Sequence, residues 1–119
     1  MTYVDGFVFA VPTANKEKLR EHALQIDPLF IEYGALKVVE CWEDDVPEGE
    51  VTSFPLAVKR QEGEAICFSW VIWPSKEVRD GAIEKMMADP RMEEEGSKMP
   101  FDGKRMIFGG FQPLVELSA

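Results

Sequence analysis

The sequence predicts a single α+β domain over residues 1–119, with its elements in the order β-α-β-β-α-β. Three observations support this prediction: an apolar stretch at 65–73, a second one at 3–11, and amphipathic helical patterns between the predicted strands. Short stretches that are rich in β-branched and aromatic residues favour strands over helices. The alternation of strands and helices then indicates one sheet with helices packed against it.

The stretch 65–73, AICFSWVIW, lies between Gly63 and Pro74 and is the most apolar segment of the chain. Successive side chains of a strand point to opposite faces of its sheet. One face therefore carries Ile66, Phe68, Trp70 and Ile72, and the other carries Cys67, Ser69, Val71 and Trp73. Because both faces are largely apolar, we expect a central strand that is covered on both sides.

The first strand, 3–11, ends at Pro12, and a helix is predicted over about 14–33. The apolar stripe of this helix follows the i, i+3, i+4 spacing and comprises Leu19, His22, Ala23, Ile26, Phe30 and Tyr33. Pro28 lacks an N–H group and its ring clashes with the preceding turn, so we expect a kink or a restart at Asp27-Pro28. Gly34 supplies the C-terminal stop.

The remaining elements follow from turn residues and alternation. We expect a second strand at 35–43, a long connection at 44–62 with a helical turn at SFPLAV, and a second helix from Ser75. Asp89-Pro90 ends this helix or caps a further turn. A last strand is predicted at 105–117.

Right-handed crossovers place these strands in the order 4-1-3-2, which is the ferredoxin-like arrangement of an antiparallel sheet. Two helices cover only one face of such a sheet. The other face is also apolar in the two central strands, and an exposed apolar patch of this size usually marks an interface. We therefore expect a homodimer in which the two sheets pack face to face.

Composition and charge exclude several classes of protein. The net charge of −9 opposes binding to a phosphate backbone, so no nucleic-acid partner is expected. No run approaches the roughly 20 apolar residues that span a bilayer, and the first residues lack a basic signal-peptide region. We expect no membrane association and a cytoplasmic location. No metal or nucleotide motif is present, so no cofactor is expected.

The two cysteines, Cys41 and Cys67, show neither metal-ligand nor redox spacing. In a reducing compartment they are expected to be free thiols. Their positions on the second and third predicted strands suggest that they face each other across the sheet. We expect both to be buried and unreactive.

Four segments carry a resemblance to a known family: CWEDDVPEGEVTSFPLAVKRQEGE, FSWVIWPSKEVRD, MADPRM and MPFDGKRMIFGGF. They resemble the YbaA-like family of uncharacterised proteins, which carries a domain of unknown function, and the similarity extends over nearly the whole chain. The resemblance implies a fold of the dimeric α/β-barrel group. Other proteins of that group include cofactor-independent monooxygenases, isomerases and haem enzymes. The family offers no catalytic residues to carry over.

Two titratable residues are the candidates for catalysis. His22 is the only histidine and lies on the stripe of the first helix, so we expect it between helix and sheet. It serves either as an acid/base or as a packed, hydrogen-bonded side chain. Asp5 lies among aromatic residues, where it needs a partner such as Arg105 or acts as a base of raised pKa.

An apolar ligand cleft is predicted from Trp42, Trp70 and Phe7, with Arg105 available to hold an anion. The same aromatic residues are equally consistent with an ordinary core. Three functions remain open. One is a binder of a small apolar ligand, or a cofactor-independent enzyme, that uses the cleft between helix and sheet. Another is a non-catalytic homodimer that contacts a protein through its acidic loops, and RNA binding is the third.

Overall fold

Four strands and four α-helices build the fold of residues 1–119, all of which the computed structural model describes. The strands are β1 (Tyr3–Pro12), β2 (Lys37–Trp42), β3 (Glu64–Trp73) and β4 (Ile107–Phe111). The helices are α1 (Lys16–Glu32), α2 (Phe54–Ala57), α3 (Lys76–Met87) and α4 (Pro90–Gly96). None of the helices is long and apolar enough to cross a membrane.

The strands form one antiparallel sheet in the order β2-β3-β1-β4, which is the order expected from the sequence. The two most apolar strands, β1 and β3, are central and pair along their whole length, from Tyr3 opposite Trp73 to Pro12 opposite Glu64. Two groups of buried side chains fill the space between the helices and the sheet. Phe9, Val11, Leu19 and Cys67 form one, and Ala35, Val71, Trp73 and Ala82 form the other.

Helix α1 continues through Pro28 as one segment, so the expected restart at this residue is wrong. Proline in a helix interior costs about 3 kcal/mol. On either side of the proline, Ile26 and Leu29 are buried, and this packing offsets the lost hydrogen bond. The helix ends before Gly34, whose φ of 118° suits glycine, and a Cβ at this position would lie 2.8 Å from Val78 Cγ1.

The last strand is shorter than expected, because β4 ends at Phe111 rather than at residue 117. Phe111 pairs with Val4, and β1 begins only one residue earlier, so nothing remains for the chain to pair with beyond this point. Pro113 also has no N–H to donate to a ladder. Residues 112–119 therefore leave the sheet.

Capping side chains begin the two short helices. The Ser53 hydroxyl accepts a hydrogen bond from the Leu56 N–H at 3.0 Å and starts α2 inside the long connection. The Asp89 carboxylate accepts one from the Arg91 N–H at 2.9 Å and starts α4. Of the two alternatives at Asp89-Pro90, the structure therefore shows the capped further turn, which packs beside α1.

The second side of the sheet is only partly covered. Val46 and Val58, from the connection around α2, pack on Val8, Ala10 and Ile66 at one end. The rest of this side is open, and we call it the open-sheet surface. It comprises Phe68, Trp70, Ile72, Ile107 and Phe111, of which Phe68 is 41% exposed and Phe111 is 62% exposed.

Candidate functional site

A groove of about 660 Å³ lies between α1 and the edge strand β2. Leu19 fills one end by packing on Phe9 and Cys67, while the small side chain of Ala23 leaves space beside the sheet. The walls are mainly apolar and include Leu19, Ala23, Leu24, Ile31, Val38 and Trp42. This volume and lining are typical of a site for a small organic molecule.

Two carboxyl groups from different elements line this groove: Asp27 from α1 and Glu40 from β2. Burial raises the pKa of Asp27 to about 7, and the negative charge of Glu40 adds to the increase. Burial also raises the pKa of Glu40, although Glu40 as a whole residue is exposed at the edge of the sheet. No positive charge contributes to either shift, so the pair favours holding a proton.

Ser69 lies directly across the sheet from Glu40 and is 3% exposed. Its hydroxyl opposes the increase in the pKa of Glu40, but Oγ makes no hydrogen bond of ordinary geometry. A buried hydroxyl without a partner is unusual in a folded protein. The floor beside the groove thus holds a polar group that is free to bind.

The other end of the groove is positively charged. Lys16 Nζ lies 5.2 Å from the centre of the Trp42 ring, a distance typical of a cation–π contact. Arg20 Nε lies 3.2 Å from Glu17 Oε2, and both side chains of this pair are mostly exposed. Along α1, Arg20 and Asp27 are separated by about 10 Å, from the rise of 1.5 Å per residue.

His22 does not lie between helix and sheet, so the expected placement is wrong. Its side chain points to α4, where Nδ1 is 3.8 Å from Glu95 Oε2 and makes no hydrogen bond. Burial lowers the pKa of His22, and the charge of Glu95 partly opposes that decrease. The cause of the misplacement is α4, which packs on this side of α1 and which the sequence predicts only as a possible extra turn.

Asp5 is 4% exposed and is fully paired, but not with the expected Arg105. Its carboxylate accepts hydrogen bonds from Trp73 Nε1 at 2.9 Å and from Arg79 Nε and Nη2 at 3.1 and 2.8 Å. Arg79 belongs to α3, which is distant from the first strand along the chain. The contacts of Asp5 are those of a structural ion pair.

The residues proposed for an apolar cleft are dispersed. Arg105 forms a two-pronged ion pair with Glu64 at 2.8 and 2.6 Å. Trp70 belongs to the open-sheet surface, and Phe7 stacks on Phe108 with the ring centres 6.4 Å apart. Of the six candidate residues, only Trp42 lines the groove. His22 and Asp5 contact separate partners.

The cysteines do not face each other, because Cys67 is opposite Trp42 and Cys41 is opposite Phe68. Both are free thiols. The expectation that both are buried is wrong for Cys41, which is exposed, while Cys67 is buried beside the groove. Burial raises the pKa of Cys67 to about 12, so it remains a thiol at neutral pH.

Asp27 and Glu40 are not predicted as site residues, because the sequence favours simpler roles for them. Asp27 precedes a proline, which is typical of a helix cap, and Glu40 begins an acidic run that is typical of a solvated loop. A signal is nevertheless present: Glu40 alternates with Val38 and Trp42 on one face of its strand. A carboxylate on an otherwise apolar face is the pattern to look for. No three side chains are placed to hold a metal ion.

Comparison with known proteins identifies the family. The model of the protein of unknown function DUF1428 matches residues 2–103. This chain belongs to the DUF1428 family. It is 60% identical to the uncharacterised protein YbaA of Escherichia coli K12 over 116 residues, covering 98% of this chain and 99% of YbaA. YbaA of Shigella flexneri matches over the same span with the same identity.

Two solved structures share the fold of this DUF1428 chain. One is Rv0793 from Mycobacterium tuberculosis, with a TM-score of 0.53, 16% identity, and coverage of 99% of this chain and 100% of Rv0793. The other is a point mutant of SnoaB, a cofactor-independent oxygenase from Streptomyces nogalater. It has a TM-score of 0.56, 12% identity, and coverage of 99% of this chain and 98% of SnoaB. At these identities the likeness establishes the α+β fold alone.

Proposed function

We propose that this protein binds a small, largely apolar molecule in the groove between α1 and β2 and acts on it without a cofactor. The observation that carries this proposal is the groove itself, with its apolar walls and its few polar groups at defined places. Ligand sites of this kind have volumes of about 300–1,000 Å³. Leu24, 66% exposed at the groove wall, is the kind of side chain that a bound apolar molecule covers.

The shared fold supports the enzymatic part of the proposal. SnoaB is a cofactor-independent oxygenase, so a chain of this architecture can support chemistry on a small molecule without a cofactor. A fold alone does not specify a reaction, because function depends on the residues of the site. Here the carboxyl groups of Asp27 and Glu40 line the groove, and the Ser69 hydroxyl lies beside it on the neighbouring strand, opposite Glu40.

Binding of Nile red, an uncharged apolar dye, tests the groove. Leu24→Asp places a charge in the groove wall and should weaken binding about 5- to 10-fold, the effect of losing roughly 1–1.4 kcal/mol of apolar contact. The matched control is Val51→Asp, at a residue that is 97% exposed and does not line the groove. Fluorescence titration should show wild-type affinity for this control. Equal affinity in all three proteins would refute binding in the groove.

We also propose that the ferredoxin-like domain forms a homodimer of the α/β-barrel type. The open-sheet surface supports this second part of the proposal. Three of the five large apolar residues of this surface, Phe68, Ile107 and Phe111, are exposed, and Trp70 and Ile72 are half-buried; an apolar patch of this kind usually marks an interface. Packing the sheets of two copies would cover these residues and leave both grooves accessible on the opposite sides.

Phe111→Glu should convert the dimer to a monomer, because it places two charges in the shared apolar surface. Leu24→Asp, on the opposite side of the sheet, should remain a dimer. Sedimentation velocity at micromolar concentration separates these results. A monomeric wild-type protein under those conditions would rule out the dimer.

A further inference from the structure

The groove places two carboxyl groups together without any cation to neutralise them. Burial disfavours the charged form of both Asp27 and Glu40, and the charge of Glu40 further disfavours that of Asp27. The cations of the groove, Lys16 and Arg20, contact Trp42 and Glu17 instead. A structural role would be expected to include a cation, as Arg79 neutralises Asp5 elsewhere on the same side of the sheet.

We propose that Asp27 and Glu40 form an acid–base pair that moves a proton to and from an apolar ligand in the groove. This inference rests on the proposed function and adds to it a reaction and a class of substrate. The substrate would be an apolar molecule with a weakly acidic C–H bond beside a carbonyl group. No oxidant, reductant or metal ion is needed for this reaction.

The step is balanced as a proton shift. The Glu40 carboxylate takes the proton from the C–H bond, and the electron pair of that bond remains on the ligand as an enolate. Asp27, the protonated member of the pair, returns a proton to the enolate at oxygen or at a different carbon. The total number of protons on ligand and protein is unchanged. Pairs of carboxyl groups with different proton affinities act as acid and base in this manner.

The buried hydroxyl of Ser69 adds a further polar group beside the two acids and acts on Glu40, whose pKa it lowers. It is on the same side of the sheet as Glu40, directly across from it, and its Oγ has no hydrogen-bond partner. A hydroxyl at this place can hold the Glu40 carboxylate in position or donate to the oxygen of a ligand. Either contact requires polar chemistry at this end of the groove.

Few other titratable or charged side chains lie near Asp27 and Glu40. The titration of these two acids is therefore simple to interpret. Lys16 and Arg20 on α1 also line the groove. Cys67 on β3 remains a thiol, while the side chain of Cys41 on β2 is on the other face of the sheet, opposite Phe68. His22 faces Glu95 on α4 and does not line the groove.

The test uses 2-tetralone, an apolar bicyclic ketone, and follows deuterium uptake at its acidic carbon by proton NMR in D₂O. We expect the wild-type protein to accelerate uptake over buffer, and Glu40→Gln to reduce the acceleration about 100-fold. Asp27→Asn should also reduce it. Asp45→Asn removes an exposed acid outside the groove and should leave it unchanged.

Nile red binding separates the two proposals. If Leu24→Asp weakens dye binding but the wild-type protein does not accelerate deuterium uptake, the acid–base pair is overturned and the groove proposal stands. Acceleration that persists in both Glu40→Gln and Asp27→Asn also overturns the pair. If Leu24→Asp leaves dye binding unchanged, the groove proposal fails, and the acid–base pair fails with it.

Discussion

Asp5 and the Asp27–Glu40 pair lie on the same side of one sheet and have opposite electrostatic surroundings. Asp5 accepts three hydrogen bonds, two of them from the guanidinium of Arg79. Asp27 and Glu40 face an apolar groove, and the charge that acts on Asp27 there is the negative charge of Glu40. The same type of side chain thus serves as a paired anion in one place and as a proton carrier in the other.

The difference shows what decides the role of a partly buried carboxyl group. A cation within hydrogen-bonding distance stabilises the charged form and makes the group part of the framework. Burial without a cation stabilises the neutral form and brings the pKa toward neutrality, where proton transfer is most useful. Three substitutions test this contrast, and they are ordered by the size of the expected effect.

Arg79→Met should give the largest loss of stability, because it leaves Asp5 buried with no cation. Removing one member of a buried ion pair costs about 3–5 kcal/mol, and we expect about 2–4 kcal/mol here because Arg79 is partly exposed. Urea denaturation at one fixed protein concentration measures the free energy of unfolding. Asp5→Asn combined with Arg79→Met should restore much of the loss.

Arg20→Met is the matched control for this prediction, because the Arg20–Glu17 pair is mostly exposed. Its effect on the free energy of unfolding should be below about 1 kcal/mol. Equal effects of the two arginine substitutions on the free energy of unfolding would mean that the burial of Asp5 does not make its ion pair with Arg79 differ from the exposed Arg20–Glu17 pair.

Asp27→Asn should change stability in the opposite direction. The pKa of Asp27 is raised to about 7 in the folded protein, from about 4 when unfolded. The folded protein therefore binds the extra proton, and the contribution of Asp27 to the stability of the wild type falls as pH rises from about 4 to about 7. Asp27→Asn removes this fall, so the variant should be about 1–2 kcal/mol more stable than wild type at pH 8, after allowance for partial exposure.

The comparison at acidic pH is the internal control, since wild type and Asp27→Asn should have nearly equal stability near pH 4. Asp45→Asn removes an exposed carboxyl group outside the groove and should not give the gain in stability at pH 8 that Asp27→Asn gives. If the wild type does not lose stability relative to Asp27→Asn between about pH 4 and pH 7, the raised pKa of Asp27 is contradicted.

The smallest of the expected effects concerns the pKa of His22, because the carboxylate beside it, that of Glu95, is only partly buried. Burial lowers its pKa and Glu95 opposes the decrease, so Glu95→Gln should lower this pKa further. The unfolded chain then binds the proton more readily than the folded one, and stability is lost as pH falls below about 6.5. The only histidine of the chain gives one ring signal, which NMR can follow through the titration.

Glu94→Gln is the control, because Glu94 is exposed on the same short helix and shares with Glu95 the contact to Lys98. It should change the pKa of His22 less than Glu95→Gln does. If the pKa of His22 is the same in both variants as in the wild type, the charge of Glu95 does not affect this pKa.

Elements and their order were accessible from the sequence because they depend on local patterns. The apolar stretch of β3 and the spacing of Leu19 and Ile26 specify a strand and a helix whatever the chain contacts elsewhere. The end of β4 was not accessible, since it depends on where β1 stops rather than on the residues after Phe111. The positions of the candidate site residues relative to one another were not accessible for the same reason, because their side-chain partners come from elements that are distant along the chain.

What the sequence by itself determined is therefore the alternation of strands and helices, the strand order and the family. Patterns of apolar residues and turn residues decide these features within about 20 positions of the chain. Only the tertiary structure decided that Asp5 pairs with Arg79 and that Asp27 and Glu40 line the same groove. The charge state of a carboxyl group depends on burial and on nearby charges in space, and these pairs lie 74 and 13 positions apart along the chain.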